Sequence, residues 1–290
     1  MPRGSLRRPG RYLPAPRRRP VRVRRRPAPP VPSGPAGRPA PPSRPGGEAA
    51  VRAGSAVRPG RSRREGGAGL WQGRAMTTVT EIIHQVPYYS QWESPELVRE
   101  IIAGKLSAAD DPLWGQSGAA TQEEYEFWSW RLCGMACLRM ALDHWWGVAP
   151  PAITLAGECL AAGAYVRRGE RLDGLIHAPF AAYVGERWGL AAESRPDLAA
   201  EDIPRLLAAG RLVMTSVHPA VRTLGPEPAR RGGHLVLAVG ATERELVIHN
   251  PSGFAGESQA FARVPWTDLP RFYAGRGIVL GPHGAAPADL

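Results

Sequence analysis

The chain has 290 residues, 37 of them basic and 26 acidic, and a formal net charge of +11. The excess belongs to the first quarter, because residues 1–75 contain 19 arginines, no lysine and two acidic residues, whereas residues 76–290 carry a charge of −6. Nucleic-acid binding is therefore not expected of residues 76–290, and the lack of any apolar run of about 18 residues excludes a membrane-spanning helix. We expect a cytoplasmic protein, since no signal-peptide pattern follows residue 1 or Met76.

Residues 1–75 are predicted to be disordered. They hold 15 of the 31 prolines and no apolar periodicity, so they cannot bury enough surface to offset the entropy lost on ordering. Three interpretations stay open: translated noncoding DNA before a true start near Met76, a nonspecific solvated tail, or an arm whose arginine runs at 17–19 and 24–26 bind nucleic acid. Residues 76–290 are predicted to form the folded domain, a length that suits one hydrophobic core.

The first part of this domain has mainly helical patterns. An extended segment at 86–92 precedes a predicted helix at 94–106, with Ser94 as its cap, and then a loop at 107–121. An aromatic-rich segment at 123–130 continues into a helix that begins at Cys133. Further helices are predicted at 150–162, at 172–188 with Asp173 as cap and Gly189 as stop, and at 203–209.

The second part changes to short runs that are rich in β-branched residues. Strands are predicted at 212–217, 234–239, 245–249 and 277–280. Helices first and strands later indicate an α+β fold, in which the N-terminal helices pack on a C-terminal antiparallel sheet.

Cys133 is the candidate nucleophile because it lies in the first turn of a predicted helix. The unpaired amides and the positive end of the helix dipole favour a thiolate at that place. A lone cysteine can also be a small core residue. With Cys137, Cys159 and His144 it could form a metal site, but the spacing lacks the paired short loops of zinc sites, so no metal is expected. Three cysteines do not suggest a disulfide framework.

His234 and Asn250 are predicted to meet across a hairpin formed by the strands at 234–239 and 245–249. With a short turn, His234 would stand directly opposite Asn250, with Cβ atoms about 4.5–5.5 Å apart. An asparagine beside a histidine can hold one imidazole nitrogen and leave the other for a substrate or nucleophile. A hydrogen-bonded core histidine is the alternative. His218 and His177 are rival bases, but neither has an orienting group beside it in the sequence.

Four segments, in this order, resemble the double-glycine-peptidase-like (peptidase C39-like) cysteine peptidases of the papain-like superfamily. They are VPYYSQ at 86–91, CGMACLRM at 133–140, GHLVLAVG at 233–240 and HNPS at 249–252. The resemblance implies a papain-like fold with Cys133 as nucleophile, His234 as base, Asn250 as the orienting residue and Gln91 as an oxyanion-hole donor. It implies no metal or organic cofactor. The family usually has aspartate at the position of Asn250, whereas papain-like peptidases use asparagine.

The expected function is thiol-dependent hydrolysis of a peptide or related amide through a Cys-His-Asn triad. Two alternatives stay open: an acyltransferase that uses the same residues, and a non-catalytic module that binds peptides in the same groove. The expected partner is a peptide or amide substrate, without a membrane. The oligomeric state is left open.

Overall fold

The computed structural model describes residues 81–169 and 171–283. The predicted disorder of residues 1–75 and the proposed start near Met76 lie outside these residues. Within the described part of the chain, no helix is both long and apolar enough to cross a membrane.

The described helices come mostly before the strands. The α-helices are α1 (Val98–Ile102), α2 (Gln122–Ser129), α3 (Cys133–Trp146), α4 (Ala152–Ala161), α5 (His177–Trp188), α6 (Ile203–Ala208) and α7 (Leu269–Phe272). The strands are β1 (Ile82–Ile83), β2 (Arg167–Arg168), β3 (Arg171–Leu172), β4 (Leu190–Arg195), β5 (Leu212–Val217), β6 (His234–Ala241), β7 (Glu245–His249), β8 (Ala262–Pro265) and β9 (Tyr273–Pro282).

One antiparallel sheet organises the domain. Its strand order is β4-β9-β5-β6-β7-β8, with β1 paired to β6, while β2 and β3 form a separate hairpin. Helices α3, α4 and α5 contribute to the core on one face and α6 and α7 to the core on the other. Strand β6 is therefore buried along its whole length, which explains its uninterrupted apolar sequence. The predicted α+β class, with helices packed on an antiparallel sheet, is confirmed.

Two of the predicted helices are shorter in the structure. The segment at 94–106 contains a 3₁₀ turn (Pro95–Leu97) and then α1, and the Ser94 side chain does not cap it. The Ser94 hydroxyl instead donates to the buried carboxylate of Asp111, at 2.5 Å. Helix α5 begins at His177 and not at residue 172, because Asp173 pairs with Arg168 at 2.9 Å and so does not cap the helix. Its predicted end at Gly189, which has a φ of 62°, is confirmed.

The hairpin of β6 and β7 has a different register from the predicted one. The observed Cα partners are Leu237 with His249 and Ala238 with Ile248, two residues away from the predicted alignment. Strand β6 runs on to Ala241 because its end also pairs with β1, and the register shifts between Ala238 and Gly240. His234 and Asn250 are therefore not cross-strand partners, since β7 ends before Asn250.

Several strands were missed by the sequence analysis. Strand β4 has an alanine- and glutamate-containing sequence that does not favour a strand, and it forms at the edge of the sheet by pairing with β9. Strand β9 itself begins at Tyr273, four residues before the predicted start. These elements depend on tertiary pairing, which local patterns do not report.

Candidate active site

A pocket of about 250 Å³ lies where the first turn of α3, the start of β6 and the segment before α5 meet. Its lining includes the side chains of Cys133, His177, His234 and Arg276. Cys133 and His234, which are 101 positions apart in the chain, thus contribute to one concave surface. Its lining combines apolar side chains with polar and charged ones, and a concave site of this kind is a usual setting for binding or catalysis.

Cys133 is the first residue of α3, as the sequence predicted. Helix α2 ends at Ser129, and the chain makes a short turn before α3 begins. Cys133 as a residue is half-buried, whereas the other two cysteines are buried, and all three are unbridged. Burial raises the pKa of the Cys133 thiol, and the backbone amides of Leu235, Gly134 and Cys133 offset only part of that rise. The expectation of a readily ionised thiol is therefore wrong, since desolvation outweighs the helix-start amides.

His234 is held from behind by Asn250. The Nε2 atom of His234 lies 2.9 Å from Oδ1 of Asn250, and the two side chains are 6% and 0% exposed. The contact comes from the loop after β7, and not from the cross-strand pairing that the sequence predicted. The predicted contact between His234 and Asn250 is thus present, but it is made by the loop and not by the hairpin.

The hydrogen bonds of Asn250 determine which imidazole nitrogen carries the proton. The backbone N–H of Ser252 donates to Oδ1 of Asn250 at 3.1 Å, which fixes that atom as the carboxamide oxygen. An oxygen can only accept, so Nε2 of His234 must be the protonated nitrogen. The other nitrogen, Nδ1, has no hydrogen bond within the described residues, and it is the one free to accept a proton.

Burial lowers the pKa of His234 to about 4. The hydrogen bond to Asn250 raises it, while the charges of Arg222 and His218 lower it further. Both shifts favour the neutral forms, a thiol and a neutral imidazole, over a thiolate–imidazolium pair. Proton transfer from the thiol would then have to accompany its attack on a substrate.

Gln91 is buried but does not line this pocket. Its side-chain Nε2 donates to the backbone oxygen of Ser129 at 3.0 Å, and its backbone N–H donates to the oxygen of Pro251 at 2.9 Å. Gln91 thus connects the end of α2, just before Cys133, to the loop that carries Asn250. The carboxamide has a second N–H that this bond leaves unused.

The loop after β7 is closed tightly enough to fix Asn250. The backbone N–H of Asn250 donates to the oxygen of Gln259 at 2.9 Å. A Cβ on Gly253 would lie 2.0 Å from the backbone oxygen of Ser258, so only glycine fits at this crossing. Because the loop has this closed shape, Asn250 and Ser252 have defined positions.

The two rival histidines lie in different surroundings. His177 lines the pocket, but its ring has no hydrogen bond within the described residues that would orient it. His218 lies outside the pocket lining, and its Nδ1 accepts from the backbone N–H of Ala220 at 3.2 Å. Only His234 combines a place in the pocket with a held ring.

Ser252 and Arg222 were missed by the sequence analysis. The Oγ atom of Ser252 lies 3.0 Å from Nε2 of His234 and accepts from Nη2 of Arg222 at 2.8 Å. Ser252 belongs to the HNPS segment, which could have identified it. Arg222 has no such signal. Across the described residues, no group of three or more histidine, cysteine, aspartate or glutamate side chains is placed to hold a metal.

No protein-family model and no curated protein sequence matches the chain. Among solved structures it is similar to the peptidase domain of Streptococcus ComA, a bifunctional ABC transporter involved in a quorum-sensing pathway, with 14% identity over 53% of this chain and 93% of that domain and a TM-score of 0.35. It is also similar to a C39-like peptidase from Bacillus anthracis, with 15% identity over 71% of this chain and 100% of the other and a TM-score of 0.42. Likenesses this distant do not transfer a reaction or a substrate to this chain.

Proposed function

We propose that the protein is a papain-like, C39-like cysteine peptidase that hydrolyses a peptide or related amide bond, with Cys133 as nucleophile and His234 as general base. The observation that carries the proposal is that His234, whose Nδ1 has no hydrogen bond within the described residues, lines the same pocket as Cys133. Asn250 supports it by holding Nε2 at 2.9 Å, which leaves Nδ1 as the basic nitrogen.

The reaction begins with proton transfer, because both groups are neutral at rest. The Cys133 proton moves to Nδ1 of His234 while Sγ bonds to the acyl carbon and the carbonyl electron pair moves to oxygen. When the carbonyl reforms, the C–N bond breaks and Nδ1 returns the proton to the leaving amine. His234 then takes a proton from the water that attacks the thioester, and it returns this proton to Sγ as the C–S bond breaks, which releases the acid and restores the thiol.

The oxyanion needs donors near the start of α3. The amides of the first turn have no partners within the helix, and we assign the Cys133 N–H to this role. We propose Gln91 as the second donor through the N–H that its bond to Ser129 leaves unused. Loss of one such donor typically raises the barrier by about 2.7–4 kcal/mol.

Peptide hydrolysis by four variants tests the proposal. A mixture of peptides is incubated with the protein, and cleavage is followed by mass spectrometry. Cys133→Ala and His234→Ala should be almost inactive, and Asn250→Ala should be slower but active, because it orients the base and carries no proton. Cys159→Ala is the matched control, since it removes a buried thiol that does not line the pocket, and it should be as active as the unmodified protein.

Alkylation distinguishes an enzyme from a binding module. Iodoacetamide at pH 7 should modify Cys133 first, and His234→Ala should slow that modification, because the base no longer takes the thiol proton. Equal and slow labelling of all three cysteines, without cleavage of any peptide, would favour the peptide-binding module. Cleavage that persists in Cys133→Ala would contradict the proposed nucleophile.

A further inference from the structure

We infer that Arg222 and Ser252 are positioning residues for His234, with Arg222 holding the Ser252 hydroxyl against the imidazole. The inference rests on the proposed function for its effect on turnover. The effect on the imidazole itself does not depend on turnover.

The contacts form a continuous chain of hydrogen bonds. Nη2 of Arg222 donates to Oγ of Ser252 at 2.8 Å, and Oγ lies 3.0 Å from Nε2 of His234. Oγ also lies 3.4 Å from Oδ1 of Asn250, which is the acceptor that remains for the hydroxyl hydrogen. The Nε2 proton therefore has two acceptors, the Asn250 oxygen and the Ser252 oxygen. Two acceptors on different residues restrict rotation of the ring more than one would.

The elements that supply these groups come from opposite sides of β6. Arg222 ends the 3₁₀ turn Pro219–Arg222 that follows β5, and Ser252 lies in the loop that follows β7. Strand β6, which begins with His234, pairs with β5 on one side and β7 on the other. Arg222 and Ser252 thus connect the ends of both neighbouring strands directly behind the histidine.

Arg222 is unusual for a half-buried arginine. Within the described residues it has no carboxylate partner, and its Nε is buried without a hydrogen bond. Its remaining contact is with the ring of Phe254, whose centroid lies 5.6 Å away. A charge in this setting is costly unless it is paired or hydrogen-bonded, because burial removes its hydration. Burial accordingly lowers the pKa of Arg222. The hydrogen bond to Ser252 holds the Arg222 charge close to His234, the proposed base.

The positive charge of Arg222 should affect the pKa of His234, which a contact that only positions the ring would not do. Arg222 and His218, which both follow β5, act on the pKa of His234. The other charged and titratable residues that share its pocket are Cys133, His177, Arg276, Asp173, Arg131 and Tyr165. After burial and the Asn250 bond, Arg222 is the strongest charge acting on the pKa of His234, and it lowers that pKa. Nη2 of Arg222 and Nε2 of His234 are no more than about 5.8 Å apart, since both contact the same oxygen. At that distance a unit charge shifts a pKa by about 0.5 to 2 units for effective dielectric constants between 80 and 20.

Titration of the His234 imidazole by NMR tests the inference without any substrate. Arg222→Met should raise the midpoint by about 0.5 to 2 pH units, because it removes the charge. Arg222→Lys keeps the charge and should leave the midpoint close to that of the unmodified protein. Arg231→Met is the matched control: Arg231 is exposed, pairs with Glu227 and does not line the pocket, so its removal should not move the midpoint. An unchanged midpoint in Arg222→Met would overturn the electrostatic role.

Turnover tests the positioning role. Ser252→Ala keeps Arg222 but removes the hydroxyl, and it should lower kcat at least tenfold with little change in KM, because the ring is less well oriented. Arg222→Met should move the acid limb of the pH profile upward in parallel with the NMR midpoint. Ser252→Ala with an unchanged kcat would overturn the positioning role. If the unmodified protein cleaves no substrate, the proposed function fails, while the NMR midpoints still decide the effect of Arg222.

Discussion

Acidification should destabilise the protein through His234, and the effect can be calculated from its pKa. The folded pKa is about 4, whereas an unfolded histidine has a value near 6.5. Between these values the unfolded state binds more protons, so stability is complete above pH 6.5 and falls as the pH decreases towards 4. This group alone should remove about 2 kcal/mol from the free energy of unfolding at pH 5 and about 3 kcal/mol at pH 4.

The comparison of the unmodified protein with His234→Gln isolates this contribution. The free energy of unfolding is measured by urea denaturation at pH 7 and pH 5, and only the difference between the two pH values is used. Burial also lowers the pKa values of His177 and His249, so the unmodified protein should lose more than His234 alone explains. The loss in His234→Gln should be smaller by about 2 kcal/mol. His283→Gln, which alters an exposed histidine, is the control and should lose as much as the unmodified protein.

An equal loss of stability in His234→Gln and the unmodified protein would refute the reasoning. It would mean that His234 titrates near its ordinary pKa in the folded state. The neutral resting pair that the proposed mechanism starts from would then not exist below about pH 6.5.

Three further substitutions test close packing and buried hydrogen bonds in the domain. Gly134→Ala places a Cβ 2.6 Å from the end of the Leu175 side chain, so it should displace the segment before α5, change the melting temperature little and speed alkylation of the pocket cysteine. Gly253→Ala places a Cβ 2.0 Å from a backbone oxygen, which cannot move away as a side chain can, and should cost at least about 2 kcal/mol in urea denaturation. Asp111→Ala leaves four donors without their acceptor and should cost at least about 3 kcal/mol, whereas the exposed Asp110→Ala should change stability by less than about 0.5 kcal/mol; similar costs for both would contradict the role of this carboxylate.

The sequence predicted those features that depend on neighbouring residues in the chain. Strands β5 and β7 have the predicted bounds, and α3 begins at Cys133, because apolar periodicity and turn residues act locally. The helical stop at Gly189 has the same origin. The α+β class follows from the order of these elements.

The features that the sequence did not predict depend on residues far away in the chain. The register of β6 depends on β1, which lies about 150 residues earlier. The predicted cap Asp173 is an exception, because the arginines that hold it, Arg168 and Arg171, are near in the chain and belong to a β2–β3 hairpin that the sequence did not predict. Arg222 could not be connected with His234, because nothing in its local sequence shows that its side chain is half-buried behind the histidine. Desolvation of Cys133 was missed for the same reason, since burial of the first turn of α3 is a property of the whole fold.

The asparagine at position 250 suits the charges found around His234. An aspartate there would accept the bonds from His234 and from the Ser252 amide equally well, and it would not carry Nδ2, which is buried and has no partner among the described residues. A carboxylate would, however, stabilise an imidazolium and raise the pKa of His234. Asn250 is neutral and adds no negative charge. Arg222, which is linked to the imidazole of His234 through the Ser252 hydroxyl, adds a positive charge that disfavours the imidazolium. Burial is the main cause that lowers the pKa of His234, Arg222 lowers it further, and Asn250 raises it less than a carboxylate would. In the proposed mechanism only a neutral imidazole can take the proton of the Cys133 thiol.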